Sequence, residues 1–313
     1  MQLIGHIAGG IAGIALLYYG AEYLIKGGVS IALKLKVPAL VIGLTLVAFG
    51  TSAPELVVSI DATLKGSGDI SIGNVLGSNI CNIALILGLS AVIAPLTVQK
   101  KLYRFDLPLL TVTSILMGVF CLLSGGITRW QGGIFFAGIL TYTIYSIYAG
   151  KKSGADDEDV SSSKIYSYAV SVLFVAGGLT GLVAGAKLFV NAAIFIARAG
   201  GISDAVIGLT VVALGTSLPE LATSVVAACK GEQDIAIGNV IGSNMFNILC
   251  ILGIAPLISP IHAPEINWID LGTMIFLTVS LFPIMRTNWK ISRAEGAFLL
   301  LIYIAYTAYL FVK

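Results

Sequence analysis

Gly50-Thr51-Ser52-Ala53-Pro54-Glu55-Leu56 places a proline and a carboxylate inside a long apolar run. Proline removes a helix hydrogen bond and pushes away the carbonyl four residues earlier. A charge at membrane depth costs several kcal/mol and marks function by default. The chain then repeats the stretch as Gly215-Thr216-Ser217-Leu218-Pro219-Glu220-Leu221, 165 residues further on. At the same offset Val41-Ile42-Gly43-Leu44-Thr45 returns as Val206-Ile207-Gly208-Leu209-Thr210. Gly73-Asn74-Val75-Leu76-Gly77-Ser78-Asn79 returns as Gly238-Asn239-Val240-Ile241-Gly242-Ser243-Asn244, and Asn82-Ile83 as Asn247-Ile248. An ungapped match over two pairs of segments is an internal repeat, not shared composition.

Around the motifs, 57% of the 313 residues are hydrophobic and 11% charged. A soluble domain carries about 25% charged residues. The polar residues gather in short breaks between apolar stretches of roughly 20 residues, the length that spans a bilayer. Ten such segments are expected, near 3–25, 37–64, 70–95, 103–124, 130–149, 166–190, 202–229, 235–259, 266–285 and 294–312. The fold class is therefore an all-α membrane protein, ten transmembrane helices arranged as two five-helix repeats. Residues 1–149 form the first repeat, 150–164 a cytosolic linker and 165–313 the second. The 36 glycines suit close helix packing in lipid. The first apolar run is full length and lacks a basic start, so it reads as a retained span and not as a cleaved signal.

Five spans per half is an odd number, which inserts the second repeat upside down relative to the first. Inverted repeats are the plan of secondary transporters, whose sites lie near the midplane where broken helices meet. The basic residues set the orientation. With the N-terminus outside, the inside loops hold Lys26, Lys34, Lys36, Lys100, Lys101, Arg104, Lys151, Lys152, Lys164, Lys230, Arg286, Lys290 and Arg293. Those are 13 of the 18 basic residues, and the outside keeps Lys65, Arg129, Lys187, Arg198 and Lys313. A multi-pass protein of the cell membrane with both termini extracellular is expected.

On a helix Thr51, Glu55 and Ser59 fall at i, i+4 and i+8 and share a face, with Ser52 beside them. Pro54 frees the Gly50 carbonyl, which in a membrane needs a partner that a cation can supply. Thr216, Ser217, Glu220, Ser224 and the Gly215 carbonyl repeat the set. Asn74, Ser78 and Asn82 form a second stripe, matched by Asn239, Ser243 and Asn247. The inventory is two carboxylates with hydroxyl, amide and carbonyl oxygens, which suits a hard cation, Ca²⁺ first and Na⁺ next. No Lys or Arg lies inside the four motif helices to pair with the glutamates, which weighs against a structural role. The serines and threonines alone could be packing groups, and Asn74 and Asn239, near helix ends, read as interhelical contacts.

The remaining candidates read as structure. Cys81, Cys121, Cys229 and Cys250 lie in apolar segments and are expected as buried small hydrophobes. His6 and His262 sit at membrane boundaries. Glu22 has Lys26 at i+4 and reads as a helix-end pair, while Asp61 reads as a mouth residue. Asp156-Asp157-Glu158-Asp159 has the composition of a calcium-binding cluster but reads as a solvated loop, and no site is assigned to it. Ser52 has no neighbouring base that would make it a nucleophile.

The Gly-Thr-Ser-x-Pro-Glu and Gly-Asn-Val-x-Gly-Ser-Asn motifs resemble the paired alpha repeats of the sodium/calcium exchanger family of cation/Ca²⁺ antiporters, in its prokaryotic form. Residues 41–83 and 206–248 carry the specific part of the match. The resemblance implies a central Ca²⁺ site of Glu55, Glu220, Thr51 and Thr216. It implies flanking Na⁺ sites of Ser52, Ser78, Ser217 and Ser243 with the carbonyls of Ala48 and Ala213, and Asn82 and Asn247 between them. Proton-coupled relatives carry Gly-Asn-x-x-Glu at the carboxylate motif, so Gly-Thr-Ser-x-Pro-Glu favours sodium coupling. Asn247 stands where potassium-dependent members have Asp, which argues against K⁺ co-transport. The linker of about 15 residues leaves no room for the large regulatory loop of eukaryotic members.

The expected function is Na⁺/Ca²⁺ antiport by alternating access, with no cofactor and no enzymatic role. Both loads compete for the same two carboxylates, and spans one and six, which carry no motif, are candidates to slide against the rest. The expected partners are the two ions and the lipid bilayer, with no nucleic acid and no obligate protein. A proton-coupled Ca²⁺ antiporter is the alternative. A channel is weakened by the lack of a symmetric pore motif, and a membrane enzyme by the lack of His or Cys ligands.

Overall fold

In the computed structural model, residues 2–153, 165–200, 213–264, 266 and 268–312 are described. Helix α1 (Gln2–Leu35) leads into α2 (Ala39–Thr51) and α3 (Ala53–Leu64). Helices α4 (Gly68–Ile93), α5 (Leu102–Ser124) and α6 (Arg129–Ser153) complete the first half. The second half holds α7 (Tyr168–Ala199), a short turn at Ala213–Gly215, α8 (Leu218–Cys229), α9 (Gln233–Ile258), α10 (Trp268–Arg286) and α11 (Arg293–Val312). Seven described helices are long and apolar enough to cross a bilayer, eight when α2 and α3 count as one broken span. Helix α8, at the seventh expected segment, and α11, at the tenth, fall outside that count. Val206–Thr210 and the acidic run 156–159 lie outside the described residues.

Two helices outrun their expected ends. Helix α1 reaches Leu35 and α7 reaches Ala199, because no breaker interrupts either run. Helix α1 stops only where Val37 precedes Pro38, a position disfavoured for helix, and Lys36 takes a left-handed φ of 55°. Lys26, Lys34 and Lys187 therefore sit on helices and not in loops. Glu22 joins Lys26 at 2.8 Å and also Lys230 at 3.0 Å, so it bridges α1 to the end of α8. Cys81, Cys121 and Cys250 are buried as expected, but Cys229 is exposed at the end of α8.

Helices α1 and α7 pack antiparallel along a seam of small residues, with Gly13, Gly20 and Gly27 against Gly185, Gly178 and Ser171. A Cβ on Gly20 would stand 2.8 Å from the Leu182 nitrogen, and one on Gly178 would stand 2.6 Å from that of Leu24. Backbone cannot yield as a side chain would. Gly178→Val is expected to cost ~1–3 kcal/mol or more, seen as a lower melting midpoint in detergent. Gly177→Val, whose Cβ meets nothing within 4 Å, should leave the midpoint near wild type.

The halves also clasp through their loops. Strand β1 (Leu96–Thr97) pairs antiparallel with β4 (Lys290–Ile291), and β2 (Gly126–Ile127) with β3 (Ile261–His262). Each pair joins one loop from each repeat. Two further ties repeat at equal spacing: Tyr142 donates to Asp106 at 3.0 Å between α6 and α5, and Tyr306 to Asp270 at 3.0 Å between α11 and α10. Helices α4 and α9 are the most enclosed spans, and they carry the two asparagine rows.

Candidate cation site

Helices α2 and α3 meet at 46°, and the break falls at Ser52. Pro54 has no N–H for the Gly50 carbonyl, so the ladder cannot run straight through. The Ser52 N–H still reaches the Ala48 oxygen at 3.0 Å, and the next helix starts with Leu56 N–H donating to Ser52 O at 3.2 Å. The second motif breaks in the same way: Ser217 has φ −86° and ψ 3° against −84° and 4° for Ser52. Its Leu221 N–H donates to Ser217 O at 3.0 Å. The break corrects one expectation. Thr51 stays on α2 while Glu55 leaves on α3, so the two do not share one continuous helix face.

The hydroxyls instead cross between repeats. Ser52 Oγ donates to Glu220 Oε1 at 2.9 Å, and Ser217 Oγ donates to Glu55 Oε1 at 3.2 Å. Thr51 Oγ1 lies 3.1 Å from Val47 O, 3.4 Å from Ala48 O and 3.1 Å from Asn239 Oδ1. Each glutamate is thus dressed by the other half's motif. Both are fully buried, and the second oxygen of each, Glu55 Oε2 and Glu220 Oε2, has no hydrogen-bond donor.

Asn74 and Asn239 each donate within their own repeat, while Asn239 Oδ1 also accepts from Thr51 of the other repeat. Asn74 Nδ2 donates to Glu55 O at 3.2 Å and Ser59 Oγ at 2.9 Å. Asn239 Nδ2 does the same to Glu220 O at 3.3 Å and Ser224 Oγ at 2.9 Å. They brace the first turn of each glutamate helix, as expected of contact residues. Asn82 and Asn247 face each other's repeats across α4 and α9. Asn82 Nδ2 donates to Asn244 Oδ1 at 3.0 Å, and Asn247 Nδ2 to Asn79 Oδ1 at 2.9 Å. Their own oxygens, Asn82 Oδ1 and Asn247 Oδ1, are buried without a donor.

Both asparagines lie in π-helical turns, Cys81–Leu87 and Asn247–Ile251. Such turns widen a helix locally and gather at functional sites. The first turn packs on α8, which carries Glu220, and the second on α3, which carries Glu55. Ser78 and Ser243 are buried one turn earlier, and Ser243 Oγ has no partner. The Ala48 carbonyl is shared by Ser52 N–H and Thr51 Oγ1, and Ala213 opens the turn before the second break.

Among the described residues no cluster of three or more His, Cys, Asp or Glu exists. A cation here would be held by two carboxylates and neutral oxygens, an all-oxygen set suited to hard ions.

Several neighbours escaped the sequence reading. Cys81 contacts Ser217 and Tyr303 of α11. Its counterpart Phe246 packs on Phe49 at 5.0 Å between ring centres, so the two halves differ here. A cavity of about 250 Å³ opens between α7 and the two breaks, lined by Pro54, Lys187, Asn191, Gly215, Thr216 and Pro219. Thr216 is half-buried on this side, while Thr51 is 1% exposed on the other.

The family described as sodium/calcium exchanger protein matches residues 5–148 and 170–312. The putative antiporter CaxA of Alkalimonas amylolytica is 36% identical over 312 residues, covering 96% of this chain and 97% of its own. The sodium/calcium exchanger MaX1 of Methanosarcina acetivorans is 35% identical over 339 residues, covering 96% and 97%. A solved structure of the sodium-calcium exchanger NCX_Mj, soaked with zero Na⁺ and Ca²⁺, superposes with a TM-score of 0.85 at 35% identity, covering 98% of this chain and 99% of that one. The same exchanger has been solved after soaking with Na⁺ together with Ca²⁺ or Sr²⁺. The repeated broken helices and their crossed glutamates thus sit in a multi-pass membrane protein of known kind, a cation antiporter of Na⁺/Ca²⁺ exchanger type and not an enzyme: the chain belongs to the sodium/calcium exchanger family.

Proposed function

We propose that this chain exchanges Na⁺ for Ca²⁺ across the cell membrane, with Glu55 and Glu220 shared by both loads. The observation that carries the reading is the set of four buried oxygens without donors, Glu55 Oε2, Glu220 Oε2, Asn82 Oδ1 and Asn247 Oδ1. They come in repeat-related pairs. A buried polar atom left unsatisfied costs about 1–3 kcal/mol, and a bound cation removes that cost at all four.

Thr51, Thr216, Ser52, Ser217, Ser78 and Ser243, with the Ala48 and Ala213 carbonyls, complete the ligand set. Ca²⁺ takes both carboxylates at once, and Na⁺ ions divide the same charges with the neutral oxygens. Neither load fits beside the other, and an empty site leaves two buried carboxylates without a counter-charge, which disfavours return of the empty carrier and enforces exchange. With about three Na⁺ per Ca²⁺ one net charge moves, and ~2.3 kcal/mol per 100 mV is available to drive it.

Alternating access would shift α1 and α7 together, since their seam has no slack, past the two breaks. The repeats divide at the linker 150–164, and both termini lie outside. The loops joined as β1–β4 and as β2–β3 each fall on one side when the chain crosses ten times, which supports the ten-span arrangement whichever way it is inserted.

Proteoliposomes loaded with Na⁺ and diluted into Na⁺-free medium test the reading. Ca²⁺ uptake should follow the Na⁺ gradient and increase when the membrane potential is set to draw the charge of the departing Na⁺ outward. Uptake that ignores Na⁺ but follows an imposed pH gradient would instead assign proton coupling.

A further inference from the structure

We propose that Asn79 and Asn244, to which no ligand role has been given, are positioning residues that aim the amide oxygens of Asn82 and Asn247 at the transported ion. The proposal rests on the ion-exchange reading above and adds a determinant of Na⁺ against Ca²⁺ preference. An asparagine amide has one accepting end and one donating end of nearly equal size. Which end faces a site is decided by what holds the other. Asn247 Nδ2 is held by Asn79 Oδ1 at 2.9 Å, and Asn82 Nδ2 by Asn244 Oδ1 at 3.0 Å. Both bonds run in the same direction, cross between repeats, and leave both Oδ1 atoms buried without a donor.

If either amide turned over, its NH₂ would face the carboxylates' cation and repel it. The acceptors on Asn79 and Asn244 oppose that turn. Asn79 is itself anchored, since its Nδ2 meets Met274 Sδ of α10 at 3.6 Å. Asn244 Nδ2 has no partner, so Asn79 is the better-fixed member and the sharper test.

Neutral oxygens matter most to the ion with the least charge. The two carboxylates dominate the binding of a divalent cation, whereas Na⁺ leans more on amide and carbonyl dipoles. Asn79→Leu keeps the branched outline of the side chain and removes the acceptor, together with the weak contact to Met274 Sδ. In proteoliposomes of the full chain it is expected to raise the KM for Na⁺ about tenfold, the size of one lost hydrogen-bond constraint. The KM for Ca²⁺ should change less than about threefold and kcat little. The decisive arm is Asn79→Leu combined with Asn247→Asp. A carboxylate presents an oxygen whichever way it turns, so the Na⁺ KM of Asn247→Asp should be the same with or without the Asn79 acceptor.

Equal losses for both ions, or a double variant that loses as much as Asn79→Leu alone, would reduce Asn79 to packing and overturn the proposal. Should Asn79→Leu fail to fold, Asn244→Leu and its combination with Asn82→Asp ask the same question of the other bond. Loss of Na⁺-driven uptake in the wild type would overturn the exchange reading itself, whereas wild-type exchange with an unchanged Na⁺ KM in Asn79→Leu overturns only this proposal.

Discussion

Replacing either Glu55 or Glu220 by Gln is expected to bring Na⁺-driven Ca²⁺ flux down to the level of empty vesicles. Gln keeps the volume and can still accept from Ser217 Oγ or Ser52 Oγ, so both helix breaks survive the change. What disappears is one of two negative charges in a site with no third carboxylate among the described residues. A unit charge about 4 Å from another is worth ~4 kcal/mol at an effective dielectric of 20. That is close to a thousandfold in binding for each unit of ion charge. Because the glutamates are repeat partners with matching bonds, the two variants should fail alike. Wild-type flux in either would remove that residue from the site.

The crossed hydroxyls give the second result, and it separates the folded arrangement from the linear one. Ser52→Ala should weaken Ca²⁺ binding about ten- to a hundredfold, as expected for a lost hydrogen bond to a charged group at ~1.5–3 kcal/mol. A cycle with the milder Glu220→Asp should show a coupling of ~0.5–3 kcal/mol, while the cycle with Glu55→Asp should be additive within about 0.5 kcal/mol. Ser217 should give the mirror result, coupled to Glu55 and not to Glu220. Isothermal titration with Ca²⁺ in detergent reads each corner of the cycle. Coupling of Ser52 to Glu55 instead would restore the single-helix arrangement that sequence spacing alone implies.

The motifs, the repeat and the all-oxygen chemistry were legible because each is a local deviation from an apolar background. Pro54 and Glu55 stand out in lipid whatever surrounds them, and an offset of 165 can be counted. The crossing was not legible. Ser52 lies three residues from Glu55 in sequence, yet the break at Ser52 sends its hydroxyl to Glu220. A 46° bend is a three-dimensional outcome of one missing N–H, and spacing rules assume a straight helix. The same limit hid Asn79 and Asn244. Both stood inside a motif already singled out, but an amide's partner across 162 to 168 residues leaves no periodic trace. Helix ends are not legible from basic residues alone, because a lysine suits a loop and a helix flank equally well. Lys26 and Lys187 sit on helices, which long side chains tolerate by reaching toward polar surroundings.

The paired loop strands bear on how the chain is made. Leu96 leaves the ribosome 195 residues ahead of Ile291, its partner in the β1–β4 clasp. At about 5–20 residues per second that is an interval of roughly 10–40 s. Through that time the edge at Leu96–Thr97 has no mate, and an unpaired edge is a template for wrong pairing. The β1–β4 clasp can therefore close only once the segment around Lys290–Ile291 has followed. Truncations ahead of residue 290 would leave that clasp unmade, whatever motifs they retain.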